Sequence, residues 1–481
     1  MPSKPQTAPP KNYKSSRTSK SVLIIFIAFI ITLVILSLIF LRGLHTSAPI
    51  KNFVIIVIDT LRADKLSCYG NPVDLTPEID SFAQNAVRFD QVFSHAPWTL
   101  PSVASIFTSQ YPFKHTAGGQ IKTFYLLPDK AVTIAEVLHN AGFVTGAIIN
   151  VLYLTEKFGM TQGFESVDSR IPVNNLASRR AEETTNAALN WLDQHKDERF
   201  FLFVHYFDPH LIYEPPEPFR RRFADARERQ GNDFIFGTGK EVFALRKGEI
   251  KLDCDTVRRL EKLYNGEIAY TDYEVGRLLK GLSSQGLDEN TAVIITSDHG
   301  EEFCDHGGFE HGHTLYNELL HVPLIIRIPG SNNRRADATG ISINTIVRHI
   351  DIAPTICELA GVEPNGSFLG NSLTGLINGK KEPNRPVLSE GNMWGPSGIA
   401  WLKDGFKLIR SSPQTRWQLF DLRTDKGEQN NIAEKQPKIC AEMIRDSKAV
   451  FESISKDTSA GSPPELSQED LRQLRTLGYV E

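Results

Sequence analysis

Residues 53–64, FVIIVIDTLRAD, decide how the chain is read. Phe53–Ile58 is an unbroken apolar run of strand length, and it stops at Asp59. A buried strand that ends in an acidic residue carries a carboxylate to the rim of a sheet. Residues 292–303, AVIITSDHGEEF, repeat the pattern and end in Asp298 and His299. Between them lies SHAPWTLPSVASIFTSQYP, residues 94–112. There Pro101 suits a first helical turn, and Val103, Ile106 and Phe107 fall on one helical face. Thr99 stands just ahead of that predicted helix, facing free backbone N–H groups and the positive end of the helix dipole. A tetrahedral oxyanion such as phosphate or sulfate is held in such a place. Two strand ends and one helix start, each offering a ligand or a nucleophile, point to one reaction centre.

The pattern around these segments alternates. Helices are predicted at Thr133–Ala141, Ala181–His195, Val257–Ser283 and Ile350–Ala360. Strands are predicted at Val144–Ile149, Phe200–Tyr206, Ala292–Ser297 and Val322–Ile328. Alternation of this kind implies an α/β fold with a largely parallel sheet, its ligands beyond the carboxyl ends of the strands. Residues 213–253, rich in Arg, Glu, Pro and Phe, read as a long insertion or lid. Past residue 375 the segments GIAWLKDGFKLIR and RWQLFDLRT read as paired antiparallel strands. SKDTSAGSPPELSQED reads as a flexible linker and LRQLRTLGYVE as a short terminal helix. The expected organisation is a basic tail over 1–20, a membrane anchor over 21–41, a catalytic domain over 50–375, a C-terminal subdomain over 376–455, and a linker with terminal helix over 456–481.

The 481 residues, 41% of them hydrophobic, suffice for a large core. The formal net charge is −4. Lys4, Lys11, Lys14, Arg17 and Lys20 precede residue 41 with no acidic residue among them, so the remainder is more acidic still. Such a body gives no electrostatic reason to expect nucleic acid. Val22–Leu41 is free of charge and has the length of one bilayer crossing, about 20 residues. It exceeds the apolar stretch of a cleaved leader and is followed by no good cleavage site. The positive charges before it predict a cytoplasmic N-terminus, with the catalytic domain periplasmic or extracellular. Cys68, Cys254, Cys304, Cys357 and Cys440 form no C-x-x-C pair, and are read as buried small apolar residues rather than a disulfide framework.

Asp59, Asp298 and His299 suit a divalent cation of Ca, Mg, Mn or Zn type. One acidic residue at a strand end is commonly only a helix cap. Two strand ends with Thr99 between them carry the case further. The metal would bind the Thr99 oxygen, lower its pKa and hold the substrate anion. In FVHYFDPHLIYEPP, His205 lies inside a strand and reads as a packing residue, whereas His210 lies beyond its end. His311 and His313, in a Gly-rich loop, are candidates to bind the anion, serve the leaving group or ligate a second metal. His321 reads as packing. Arg62, Lys114 and His115 could offer positive charge, and are equally consistent with ordinary surface.

The chain resembles the sulfatase-like branch of the alkaline-phosphatase superfamily. The matching segments are VIDTLRADKLSCYG, APWTLPSVASIFTSQYP, FLFVHYFDPHLIYEPP, YNGEIAYTDYEVGRLL, SDHGEEFCDHG, GHTLYNELLHVPLIIRIPG and HIDIAPTICELAG. They stand in the family's order over roughly residues 50–365, with a weaker echo in GFKLIR and WQLFDLRTD. The resemblance implies a large mixed, mostly parallel β-sheet flanked by helices, and a smaller C-terminal antiparallel sheet with a helix. It implies a divalent metal held by Asp59, Thr99, Asp298 and His299, with substrate contacts from His210 and from His311 or His313. The departures are specific. Sulfatases carry Cys or Ser in C/S-x-P-S-R and convert it to formylglycine, where this chain has Thr99-Leu100-Pro101-Ser102-Val103. Thr60 replaces the second Asp of the usual pair, and the expected Lys and His after AGFVTG fall on apolar residues around Ala147–Ile149. Threonine at the nucleophile position resembles phosphoethanolamine transferases and lipoteichoic acid synthases, which are also membrane-anchored.

Three readings follow. The first is a membrane-anchored, metal-dependent hydrolase or transferase with Thr99 as nucleophile, acting on a lipid- or glycan-linked anionic ester, phosphoesters favoured. The second is a sulfuric-ester hydrolase working without formylglycine. The third is a non-catalytic binding ectodomain, against which the intact set Asp59, Thr99, Asp298 and His299 argues.

Overall fold

The computed structural model describes residues 1, 26–27, 29–32, 50–120, 123–170, 179–223, 237–330, 340–411, 415–454 and 461–480. The chain divides into two units, 1–49 and 50–481. In the first, Phe26, Ile27 and 29–32 are helical with exposed side chains. Among the described residues no helix is long and apolar enough to cross a membrane. The anchor expected at Val22–Leu41 lies mostly outside them.

The second unit is built on an eight-stranded sheet. In chain order its strands are β1 (Asn52–Ile58), β2 (Val87–Phe89), β3 (Val144–Ile148), β4 (Ser166–Asp168), β5 (Phe200–Tyr206), β6 (Thr291–Ser297), β7 (Leu324–Arg327) and β8 (Ile341–Ile343). Side by side they run β8-β2-β7-β6-β1-β5-β3-β4. β1 lies parallel between β5 and β6. Among the strands of this sheet β7 alone opposes its neighbours, which makes the sheet mixed. The helices that bear on the site are α1 (Thr99–Thr108), α2 (Ile134–Asn140), α3 (Ala181–His195), α4 (Gly239–Arg246), α5 (Cys254–Ser284), α6 (Ile352–Ala360), α7 (Pro437–Ile454) and α8 (Gln468–Thr476).

The unbroken apolar run of β1 follows from burial on both faces. Phe53, Ile55 and Val57 pack in one core with Val103 and Phe107 of α1. Val54, Ile56 and Ile58 pack in the other with Leu260, Tyr264 and Leu278 of α5. α3 and β5 have the bounds the sequence predicts. Thr133 caps α2 through the N–H of Glu136, whose carboxylate accepts the Thr133 N–H in return. α5 begins one turn before the predicted Val257, because Asp253 accepts the N–H of Thr256 at 2.7 Å and fixes the start there.

One expectation is corrected. Cys254, at the head of α5, forms a disulfide with Cys304 in the loop after β6, with Cα atoms 6.0 Å apart. Local spacing hides this bond, because its partners are 50 residues apart and meet only in the folded sheet. Cys68, Cys357 and Cys440 are free thiols. A loop of that length gives a stabilisation of about 4 kcal/mol. Reductant, or Cys254→Ser, is therefore expected to lower the melting temperature by several degrees in calorimetry. Superimposable traces with and without reductant would exclude the bond.

The C-terminal strands β9 (Val387–Glu390), β10 (Ile399–Lys403), β11 (Phe406–Arg410) and β12 (Gln418–Asp421) form an antiparallel sheet in sequential order. This sheet braces the segment ahead of α1. Glu390 N–H donates to His95 O at 3.0 Å, and Ser389 Oγ donates to Ser94 O at 2.6 Å. His95 Nδ1 donates to Leu388 O at 2.6 Å. Lys407 of β11 pairs with the buried Glu428 at 2.9 Å and donates to Asn317 Oδ1 at 2.8 Å.

Candidate active site

Strand parity builds the site. Asp59 follows β1, His205 is the penultimate residue of β5, and Asp298 follows β6. Side chains alternate across a sheet. Asp59 therefore shares the face of Ile55 and Val57, His205 that of Phe201 and Phe203, and Asp298 that of Ala292 and Ile294. This is the face α1 covers, where Phe107 meets Phe203 edge-on with ring centres 4.8 Å apart. The aligned ends of three parallel strands bring Asp59, His205 and Asp298 together, one ligand atom of each within 4.8 Å of the others.

Thr99 is the first residue of α1, one position further in than the sequence predicts, and no side chain caps the helix. Its Oγ1 lies 3.4 Å from Asp59 Oδ2 and 3.4 Å from His299 Nε2. His299 Nδ1 donates to Gly300 O at 2.9 Å, so Nε2 presents its lone pair toward the centre. That nitrogen is 3.4 Å from Asp59 Oδ1 and from Asp298 Oδ2. Asp298 Oδ1 accepts the N–H of His299 at 2.9 Å and of Thr60 at 3.3 Å. Thr60 adopts φ 56, a left-handed conformation that β-branched residues rarely take, and strain of this kind gathers at functional sites. Ser102 Oγ donates to Asp298 O at 2.6 Å and anchors the strand end to α1.

Several polar atoms here are buried without a hydrogen-bond partner: Asp59 Oδ1, Asp298 Oδ2, both ring nitrogens of His205, and His311 Nε2. A buried unpaired acceptor costs about 1–3 kcal/mol. Carboxylates and imidazoles converging with free lone pairs fit a divalent cation of Ca, Mg, Mn or Zn type. Burial opposes ionisation of Asp59, but His205, His210 and His299 hold its carboxyl below the ordinary range. Burial and repulsion from Asp59 push Asp298 up to about 6.

Around this centre stand the histidines. His210 Nδ1 donates to Leu211 O at 2.6 Å, and its Nε2 lies 2.9 Å from the Tyr479 hydroxyl. Burial lowers its pKa against the opposing pull of Asp59. His311 Nδ1 lies 2.9 Å from Glu301 Oε1, and Tyr213 donates to Glu301 Oε2 at 2.9 Å. The His311 ring is 4.6 Å from that of His299 and 4.8 Å from that of His210, centre to centre. Burial, with His299 next, holds His311 well below its ordinary pKa. His313 is turned elsewhere: its Nε2 pairs with Glu302 at 2.8 Å and its ring stacks on Trp394. Arg62 binds Asp64 and Asp305, and His115 lies buried against Ser105, so both serve the framework. His321 packs on Phe93 and hydrogen-bonds Asp90 O.

The structure thus gathers Asp59, Thr99, Asp298, His299, His210 and His311, and leaves His313 outside. It adds three residues that sequence reading passed over. His205 could have been found from parity, since Phe201, Phe203 and His205 share the face that leads to Asp59's neighbour position. Ser102 was visible only as part of a helix. Tyr479 carried no local signal, because its approach depends on the whole tail.

The protein-family model described as Sulfatase matches residues 51–362. A second, N-sulphoglucosamine sulphohydrolase C-terminal, matches residues 304–454. The chain is 27% identical to the sulfatase YidJ of Escherichia coli over 430 residues, covering 79% of this chain and 82% of that protein. It is 24% identical to N-acetylglucosamine-6-O-sulfatase of Bacteroides thetaiotaomicron, with the same coverage of both. Among solved structures, BT4656 with its substrate D-glucosamine-2-N,6-O-disulfate superposes with a TM-score of 0.71 at 21% identity, over 85% of this chain and 98% of that one. Phosphonate monoester hydrolase of Agrobacterium radiobacter gives 0.68 at 20% identity, over 87% and 100%. With one family model spanning most of the second unit, and the sheet, helices and C-terminal antiparallel sheet all in place, the chain belongs to the sulfatase family of ester-hydrolysing enzymes.

Proposed function

We propose that the protein is a metal-dependent phosphoester hydrolase or phosphotransferase in which Thr99 is the nucleophile. The observation that carries this reading is the Thr99 hydroxyl, buried at a helix start and 3.4 Å from both Asp59 and His299. Asp59, Asp298 and His299, joined by His205, would hold a divalent cation, which supplies positive charge for ionising a hydroxyl and for binding an anion. Thr99 Oγ1 forms a bond to phosphorus as the ester P–O bond breaks; the hydroxyl proton passes to the unpartnered Nε2 of His311, which returns it to the departing oxygen. Water or an acceptor alcohol then attacks phosphorus and releases threonine. His311 faces the substrate beside Thr99, and His210, both of whose nitrogens are engaged, buttresses the His311 ring from 4.8 Å away.

Phosphorus is favoured over sulfur on chemical grounds. A formylglycine hydrate expels sulfate by collapsing to the aldehyde, and a threonine ester has no such exit. Val103, at the position of the sulfatase arginine, is fully buried in the apolar core and supplies no charge. The relatives' names keep the second reading, a sulfuric-ester hydrolase, in view, and their sugar substrates suggest a glycan-linked ester. The proposed location is outside the cytoplasm, tethered through Val22–Leu41. This reading rests on the charge-free run and the basic residues before it.

Purified full-length protein, loaded with Mn or Zn, is expected to turn over aryl phosphodiesters or phosphomonoesters at least 10-fold faster than aryl sulfates. Turnover of aryl sulfate alone would transfer the assignment to the second reading.

A further inference from the structure

We propose that the C-terminal segment completes the active site, with Tyr479 as a positioning residue that holds the His210 ring. The activity arm of this proposal rests on the function proposed above. The segment is docked along its length. Leu126 N–H donates to Ser462 O at 3.0 Å. Ser467 caps α8 by accepting the Asp470 N–H at 3.2 Å, and Lys157 pairs with Asp470 at 3.0 Å. Past α8, Gly478 adopts φ 73, and a Cβ there would meet Val242 Cβ of α4 at 2.7 Å. Glycine is what allows the chain to turn inward so close to α4.

The turn delivers Tyr479 into the protein, 2% exposed. Its ring meets Tyr153 edge-on at 4.9 Å and lies against the Arg246 guanidinium at 4.5 Å. Arg246 joins the tail to the catalytic loop: Nη1 donates to Gly478 O at 2.9 Å, and Nε donates to Glu310 Oε2 at 2.9 Å. Glu310 directly precedes His311. Because His210 Nδ1 gives its proton to Leu211 O, Nε2 carries the lone pair, and the Tyr479 hydroxyl is the donor at 2.9 Å. These two bonds fix the tautomer and the rotation of the ring, and a ring flip would break both. Phe207, stacked on His210 at 4.4 Å, restricts its tilt but not its flip. A distant tail residue thereby sets the geometry of an imidazole beside Asp59. Outer partners of this kind typically contribute 10–100-fold to activity.

The test compares full-length wild type with Tyr479→Phe, His210→Gln and the double variant, using the aryl esters above. Phenylalanine keeps the packing on Tyr153 and Arg246 and removes only the hydroxyl. The expected result is a loss of about 10–100-fold in kcat/KM for Tyr479→Phe with metal content unchanged and the melting temperature lowered by no more than a few degrees. In the His210→Gln background the same change is expected to cost nothing further, as for two residues acting as one unit. In 15N-histidine spectra, the His210 Nε2 resonance should move toward that of a nitrogen accepting no hydrogen bond. Unchanged or raised kcat/KM in Tyr479→Phe, independent losses in the double variant, or an unmoved resonance would overturn the proposal. If wild type turns over none of the esters, the proposed function fails and the resonance alone decides: a shift sustains the positioning role, and a fixed signal refutes it.

Discussion

Thr99→Ala is expected to abolish turnover, a loss on the order of 10⁴-fold or more, while bound metal stays near the wild-type level. Removing a nucleophile eliminates the covalent step, and the carboxylates and imidazoles around it remain. Asp298 Oδ2 and His299 Nε2 do not depend on the threonine for their orientation, and Asp59, which loses one 3.4 Å contact, keeps His205 Nε2 at 3.5 Å. His299 is set by Gly300 O, and Asp298 by the N–H groups of His299 and Thr60. Thr99→Ser, which keeps the hydroxyl, should retain measurable activity. The covalent adduct decides the chemistry. Wild type quenched with aryl phosphate, aryl phosphodiester or aryl sulfate is digested, and the peptide containing SHAPWTLPSVASIF is weighed. A phosphate increment on Thr99 is expected. An increment on another residue, or undiminished activity in Thr99→Ala, would falsify the mechanism.

Asp59→Asn and Asp298→Asn are expected to lose metal and activity together, with bound metal falling at least 100-fold at a fixed free concentration. Each change keeps shape and removes one charge from the donor set. The fold should survive. Both residues stand beyond strand ends, and in the absence of metal burial, with repulsion from Asp59 next, drives Asp298 up to about 6. Neutralising Asp298 relieves burial and repulsion together, so metal-free Asp298→Asn should melt no lower than metal-free wild type, whereas Asp59→Asn also loses the pull of His205, His210 and His299 on its charge. Wild type, in contrast, gains melting temperature on adding metal, and the variants should gain little. Full occupancy by elemental analysis in both variants would remove Asp59 and Asp298 from the ligand set.

Much of this was legible in the sequence because it is local. β1, β5 and β6 announce themselves as apolar runs, α2 by its capping pair Thr133 and Glu136, and α1 by Pro101 and the spacing of Val103, Ile106 and Phe107. Asp59, Thr99, Asp298 and His299 could be named because each sits at the end of such an element. What escaped depends on distance along the chain. His205 looks like a core residue until the register of β5 against β1 sets Val57 opposite it. The Cys254–Cys304 bond and the Tyr479–His210 contact join segments 50 and 269 residues apart, and no periodicity reports them. His313 parts from His311 for the opposite reason. In sequence it is a close neighbour of His311, but two residues along an irregular loop is enough to turn its ring onto Trp394.

The placement of β1 has a consequence for synthesis. Of the strands of the eight-stranded sheet, the first to leave the ribosome ends up in the middle, and its partners arrive much later: Phe53 waits for Phe201 on one side and for Ala292 on the other. Until then a nascent chain displays six consecutive apolar residues with both backbone edges unpaired, the kind of segment that recruits other chains. Fragments that stop short of residue 297 should therefore be held by chaperones or aggregate, and the sheet can close only when more than half of the polypeptide has been made.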